Sequence, residues 1–240
     1  ISFFAIAVLF ASVGFGGGSS YLAILALTTL GYTEIRAIAL VCNIVVVSGS
    51  FIMYYKNGFY NFKKVIPLVL TSIPLAFLGG YLRIEKRAFF ILLGVTLLFA
   101  GILMLVGKKE ATRNTINKTS TIKSLGYGGG IGFISGLVGI GGGIFLAPLL
   151  HLTNWETSKK IAATASLFIL VNSIAGLGGQ LTNPNFSINM MLTSILAIST
   201  FIGGQIGTRI GIKLANPTTL KRTTAILILY VAFKIILKYT

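Results

Sequence analysis

Two glycine clusters set inside apolar stretches, Gly14-Phe15-Gly16-Gly17-Gly18 and Gly139-Ile140-Gly141-Gly142-Gly143, are the residues whose types and spacing can do chemistry. A glycine run interrupts a helix and strips backbone N–H groups of their partners, which hydrocarbon does not tolerate unless protein, water or ligand satisfies them. The helix that restarts at Ser19 or at Ile144 aims the partial positive charge of its N-terminus at the interruption, an arrangement suited to the oxygens of a small anion. Gly16, Gly17, Gly18, Gly141, Gly142 and Gly143 are therefore candidate binding residues. Ser19 and Ser20 add hydroxyl donors in the first cluster only. The competing reading is that the clusters merely let helices approach closely. That reading suits Gly128, Gly132 and Gly136, and Gly203, Gly207 and Gly211, whose four-residue spacing lines one helix face.

Other polar residues sit within apolar runs: Asn43 and Ser48 in the first half, Ser166, Asn172 and Ser173 in the second. Asn43, Ser166 and Asn172 join the candidate binding set, with hydrogen-bonded contact between helices as the alternative for each. Arg36 and the Lys159/Lys160 pair stand just ahead of these runs, placed either to snorkel or to attract anions to an entrance. Trp155, Tyr54, Tyr55 and Tyr239 lie near segment ends and read as interfacial anchors. Pro67, Pro74 and Pro148 read as kinks only.

What is missing narrows the chemistry further. His151 is the sole histidine, Asp is absent, and the four glutamates, Glu34, Glu85, Glu110 and Glu156, lie outside the apolar runs. An acid–base pair or a His/carboxylate metal site has no material here. Nor is either cluster a nucleotide-binding G-x-G-x-x-G, because Tyr21 and Leu146 occupy the third glycine position. The expectation is a protein that is not an enzyme, with no cofactor and no metal. Metal and alkali-cation pathways place carboxylates within the membrane, so an anion or a neutral solute is the better cargo.

These clusters need a scaffold, and composition dictates its kind. Only 10% of residues are charged, 55% are hydrophobic, and the mean hydropathy is +0.91. That leaves too little polar surface for a soluble globule of 240 residues. Apolar runs of roughly 15–20 residues, against the ~20 that a 30 Å hydrocarbon core needs, occur near 37–55, 65–82, 88–106, 161–179, 189–208 and 223–237, and all but the last, which holds Lys234, are uncharged. The expected partner is the lipid bilayer. A net charge of +16 would suggest nucleic acid in a soluble protein, but the basic residues sit in short loops between apolar runs, which argues against it. Cys42 is alone and reads as a small buried hydrophobe. The opening run leads into glycines with no cleavage-site pattern, so no cleavable signal peptide is expected.

The same order of features occurs twice, displaced by about 125 residues: a short apolar run, a glycine cluster, a second short run and three full-length spans. Gly79-Gly80 and Gly203-Gly204 mark the third element of each half. A first repeat over 1–106 and a second over 124–240 are thus joined by a polar, basic linker at 107–123. Such internal symmetry marks transporter folds. If each broken element crosses the membrane, the twenty basic residues divide evenly between the two sides. If each is a re-entrant hairpin, the loops at 56–64, 108–123, 153–160 and 209–222 share one side and hold fourteen of them. The positive-inside rule selects the hairpins and makes that side cytoplasmic. The expected fold is an all-α polytopic membrane protein of two homologous halves, each a glycine-broken re-entrant element plus three transmembrane helices, related as inverted repeats.

The fuller cluster GLVGIGGGIFLAPLL at 136–150, its weaker copy VGFGGGSSYLAIL at 13–25, and the closing Gly203, Gly204, Gly207 and Arg209 resemble the TauE/SafE family of sulfite and organosulfonate permeases. Pro148 keeps the proline expected after the second cluster, while Ala23 departs from it in the first. The resemblance covers the whole chain and implies a multi-pass protein of the cell membrane whose cargo is sulfite or a related sulfur anion. Combined with the residues, it predicts a transporter of a small anionic substrate that works by alternating access around a midplane site at the two glycine breaks. An anion channel and a non-transporting scaffold are the rivals. The glycine faces also leave room for a homo-oligomer.

Overall fold

A computed structural model of the chain describes residues 1–106, 120–182, 184, 186–213 and 217–239. Among them there are ten helices and no strand. The first half supplies α1 (Ser2–Ser12), α2 (Gly18–Leu25), α3 (Tyr32–Lys56), α4 (Phe62–Tyr81) and α5 (Lys86–Val106). The second supplies α6 (Thr121–Val138), α7 (Gly143–Leu152), α8 (Ser158–Leu181), α9 (Met190–Lys213) and α10 (Pro217–Tyr239). Most of the expected linker lies outside the described residues, and its last three, Thr121, Ile122 and Lys123, already form the first turn of α6.

Of the six expected spans, α3, α4, α8 and α9 are long and apolar enough to cross a membrane. The 25 residues of α3 extend about 37 Å at 1.5 Å per residue. Some side chains of α5 and α10 lie outside the description. Large apolar side chains stand exposed on the outward faces, among them Leu70 of α4 and Met191 and Ile198 of α9, which suits lipid rather than water as the surrounding solvent.

The duplication is spatial as well as sequential. α1 packs on α9 as α6 packs on α4, α3 packs on α9 as α8 packs on α4, α2 meets α10 as α7 meets α5, and α3 meets α8 at the centre. α1 and α6 therefore lie against the second long helix of the other half, and α2 and α7 against the third, so the repeats interlock and are not separable bodies.

The glycine faces explain the interlocking. A methyl group on Gly128, Gly132 or Gly136 would strike the backbone of Leu68, Ser72 or Ala76 in turn, and one on Gly203, Gly207 or Gly211 would strike that of Phe4, Val8 or Ser12. Advancing one turn along one helix advances one turn along the other, so each pair runs parallel with backbones in contact. Between membrane helices, where lipid is as apolar as leucine, such close van der Waals packing is what holds them together.

Polar contacts sort the loops into two groups. At one end Lys64 Nζ lies 3.2 Å from Glu156 Oε1, Lys160 Nζ 3.4 Å from Glu156 Oε2, and Lys159 Nζ donates to Ile212 O. In the other group Glu34 Oε1 accepts from Asn189 N, and Arg87 Nε donates to Tyr239 O.

Candidate functional site

Both expected breaks are present, one residue earlier than the sequence suggested. α1 stops at Ser12 and α2 starts at Gly18, while α6 stops at Val138 and α7 starts at Gly143. The caps of the restarted helices, Gly17 (φ 88°) and Gly142 (φ 83°), are left-handed. An L side chain there costs about 1–2 kcal/mol, so glycine is required by the backbone as well as by space.

The backbone at these breaks leaves donors behind. Gly14 N–H is spent on Ala11 O, Gly139 and Ile140 N–H on Ser135 O, and the first bonds inside the restarted helices run from Ser20 to Gly17 and from Phe145 to Gly142. The N–H groups of Gly16, Gly17, Gly18 and Ser19, and of Gly141, Gly142, Gly143 and Ile144, have no acceptor among the described residues. Each restarted helix thus presents its free donors and positive pole to the break.

Asn43, fully buried in the middle of α3, joins the two breaks. A Cβ at Gly16 or Gly18 in the first break would strike its amide, and one at Gly141 in the second would come within 3.0 Å of it. Its Nδ2 donates to Ile140 O at 2.9 Å, and its Oδ1 has no partner. Other buried, unpartnered polar atoms surround the breaks. A Cβ on Gly141 would lie 2.8 Å from Ser173 Oγ, one on Gly142 3.1 Å from Ser135 Oγ, and one on Gly17 2.9 Å from the Tyr21 hydroxyl. All three of these oxygens lack partners, as do Ser20 Oγ and Asn172 Oδ1.

The structure therefore gathers Gly16, Gly17, Gly18, Ser20, Asn43, Gly141, Gly142 and Gly143 around one region. Asn172 is buried there through its helix, its Nδ2 donating to Phe168 O, whose ring faces Gly142. Ser19 is buried at the start of α2. Ser166 stands apart: it pairs with the Tyr60 hydroxyl at 3.0 Å and donates to Ala163 O. Burial pushes the Tyr60 phenol well above its usual range, against the pull of Ser166. Ser48 bonds back to Ile44 O on its own helix. Tyr21 and Ser135 were not legible as lining residues, because each sits at an ordinary helical position and only the turn of the backbone brings it to the glycines.

Two expectations change. Trp155 and Tyr54 are buried, 1% and 2% exposed, and anchor nothing at an interface. Tyr55 is exposed, and Tyr239 stacks on Phe90. Arg36 does not snorkel: it is 2% exposed, donates through Nη2 to Gly136 O at 3.0 Å, and lies over the Phe89 ring. It caps the last turn of α6, where a cation meets the negative pole of that helix. Glu156, unremarkable in the sequence, is buried in a network with Lys64, Lys160 and Asn61. Burial alone would raise its pKa, but the hydrogen bond and charge of Lys64, with Lys160 and Asn61, hold it below its ordinary value.

Residues 1–235 match the family described as sulfite exporter TauE/SafE. A probable membrane transporter protein of Sinorhizobium fredii, y4hK, is 33% identical over 98% of this chain and 96% of its own length. A probable membrane transporter protein of Xylella fastidiosa is 28% identical over 92% of this chain and 88% of its own, and YunE of Bacillus subtilis, also a probable membrane transporter protein, is 22% identical over 75% and 72%. No solved structure matches.

Proposed function

The chain belongs to the sulfite exporter TauE/SafE family, and we propose that it carries small sulfur oxyanions, sulfite or organosulfonates, across the cell membrane by alternating access around the two glycine breaks. One observation carries this reading: two helix N-termini, each with a run of unpartnered N–H groups, meet at the buried amide of Asn43. Donors of that kind, fixed in place and shielded from water, are worth more to an anion than the same donors in solution. Among the described residues no carboxylate lines them.

The acceptor side of the site narrows the cargo. Asn43 Oδ1 awaits a donor, and the four unpartnered hydroxyls of Ser20, Tyr21, Ser135 and Ser173 can each accept as well as donate. A singly protonated oxyanion such as hydrogen sulfite supplies one O–H for an acceptor and the remaining oxygens for the N–H groups. A proton carried on the substrate in this way spares the protein an intramembrane carboxylate.

The contact of Lys64 with Glu156 supports the hairpin arrangement and with it the inverted repeat. If each broken element crossed the membrane, those two residues would stand on opposite faces. In the hairpin arrangement each break belongs to a pair of arms that enters from its own side. Gly14 lies against Ala162 near one end and Gly139 against Arg36 near the other, so exposure of the site to each side is governed by a different hairpin.

The test is counterflow of radiolabelled sulfite in proteoliposomes. Saturable exchange, trans-stimulated by unlabelled sulfite and abolished by Asn43→Asp, is expected. Flux that neither saturates nor responds to trans substrate would make the protein a channel, and absence of flux with every sulfur oxyanion would refute transport of this class.

A further inference from the structure

We infer a second oxyanion site, a vestibule built on Arg36 and Gln180, through which the anion passes between solution and the central site; it rests on the transport reading above. A small, partly open cavity at the start of α3 is lined by Tyr32, Arg36, Gly80, Arg83, Gln180 and Phe186, and no carboxylate among the described residues lines it. Two of its side chains are more than nine-tenths buried and incompletely partnered. Among the described residues Arg36 Nε has no acceptor, and Gln180, 5% exposed, has no partner for either its Nε2 or its Oε1. A fixed guanidinium N–H, an amide N–H pair and the exposed Arg83 form a donor set suited to an ion with two or three oxygens. Gln180 Oε1 offers an acceptor to a protonated one.

Packing alone does not demand Arg36. Gly14 and Gly139 are equivalent in the repeat, and the residue against Gly139 is Arg36 where the residue against Gly14 is Ala162, each the fifth residue of its helix. The second half fills that place with a methyl group. The glycines of α4 set the vestibule up. Gly79 lies on the backbone of α6 beside Gly136, whose carbonyl holds Arg36, and Gly80 and Gly179 let α4 and α8 touch backbone to backbone next to Gln180.

Isothermal titration of the purified protein with sulfite, and separately with sulfate, tests the assignment. Two sulfite ions per chain are expected in the wild type. Gln180→Glu places a carboxylate beside Arg36 in the anion's position and should weaken one of the two at least tenfold, leaving the other. Gln180→Leu, which adds no charge, should lose the same ion at unchanged melting temperature. Asn43→Asp should remove the other ion. Loss with the Gln180 variants but not with Asn43→Asp upholds the vestibule and overturns the central site. One ion in the wild type, unaffected by either Gln180 variant, overturns the vestibule. Displacement of the vestibule ion by dihexanoyl phosphatidylglycerol, and not by sulfate, would overturn its assignment to a free anion in favour of a lipid headgroup.

Discussion

Glu156→Gln should loosen the clasp between the α3–α4 and α7–α8 loops by a calculable amount. Glu156 is buried, while the side chains of Lys64 and Lys160 remain 28% and 37% exposed. Gln keeps the shape and an oxygen for Lys64 but not the charge. Exchanging the ion pair with Lys64 for a hydrogen bond from its ammonium to an amide oxygen costs about 1 kcal/mol, and losing the more exposed Lys160 pair adds roughly 0.5 kcal/mol after screening. A total of about 1.5 kcal/mol corresponds to a fall in melting temperature of roughly 3–6 °C for a chain of this size. The pH dependence gives a second readout. Because the folded carboxyl titrates below the ordinary value of 4.5, its contribution is complete above that value and is lost as pH falls toward the folded pKa. Thermal unfolding of the detergent-solubilised protein from pH 3 to pH 7 should show the wild type losing stability below about pH 4.5, with that loss reduced in Glu156→Gln. Superimposable curves would show that the ionic network contributes nothing.

Three other expectations follow from the same contacts. In a Cys42→Ala background, single cysteines at Asn57 and Lys159 should resist an impermeant thiol reagent in intact cells while one at Lys86 reacts; unlike behaviour of the first two would end the hairpin arrangement. Glu34→Gln and Glu85→Gln should each leave sulfite flux within about twofold of wild type, since neither carboxylate belongs to the site, and a flux-dead variant that expresses normally would mark a coupling residue. Thr208→Val should cost about 1 kcal/mol in unfolding by removing the interhelical partner of the buried Ser50 hydroxyl, which keeps only Val46 O on its own helix, and an unchanged melting temperature would contradict this.

Much of the fold was legible because glycine spacing is a direct statement about backbones. The four-residue faces at 128–136 and 203–211 announced close helix contacts, and the two clusters announced breaks. What spacing cannot say is which helix lies opposite. The α6 face meets α4 and the α9 face meets α1, a pairing across the repeat that no local pattern encodes. The candidate site was legible in its glycines and in Asn43, because a polar residue among apolar neighbours must find a partner. Ser166 met the same criterion and found its partner in Tyr60. Trp155 and Tyr54 were misjudged, and the burial of Arg36 and Glu156 was not foreseen, for one reason: position near a segment end says nothing of burial when neighbouring loops fold over it.

The central claim is that the free N–H groups of both breaks hold the anion. Ala at Gly17 or Gly142 tests it poorly, because their left-handed φ adds backbone strain. Gly143 is not left-handed, and a methyl group there would meet the side chain of Ile169. The most direct measurement is therefore the sulfite affinity of purified Gly143→Ala, paired with Ile169→Ala to make room, beside that of Gly132→Ala. The account predicts a loss of roughly ten- to a hundredfold for the first, equivalent to one charge-assisted hydrogen bond of about 1.5–3 kcal/mol. Gly132→Ala should lower the melting temperature and leave the affinity of the folded protein unchanged. Equal affinities in the two variants would contradict the claim and reduce the glycine clusters to packing.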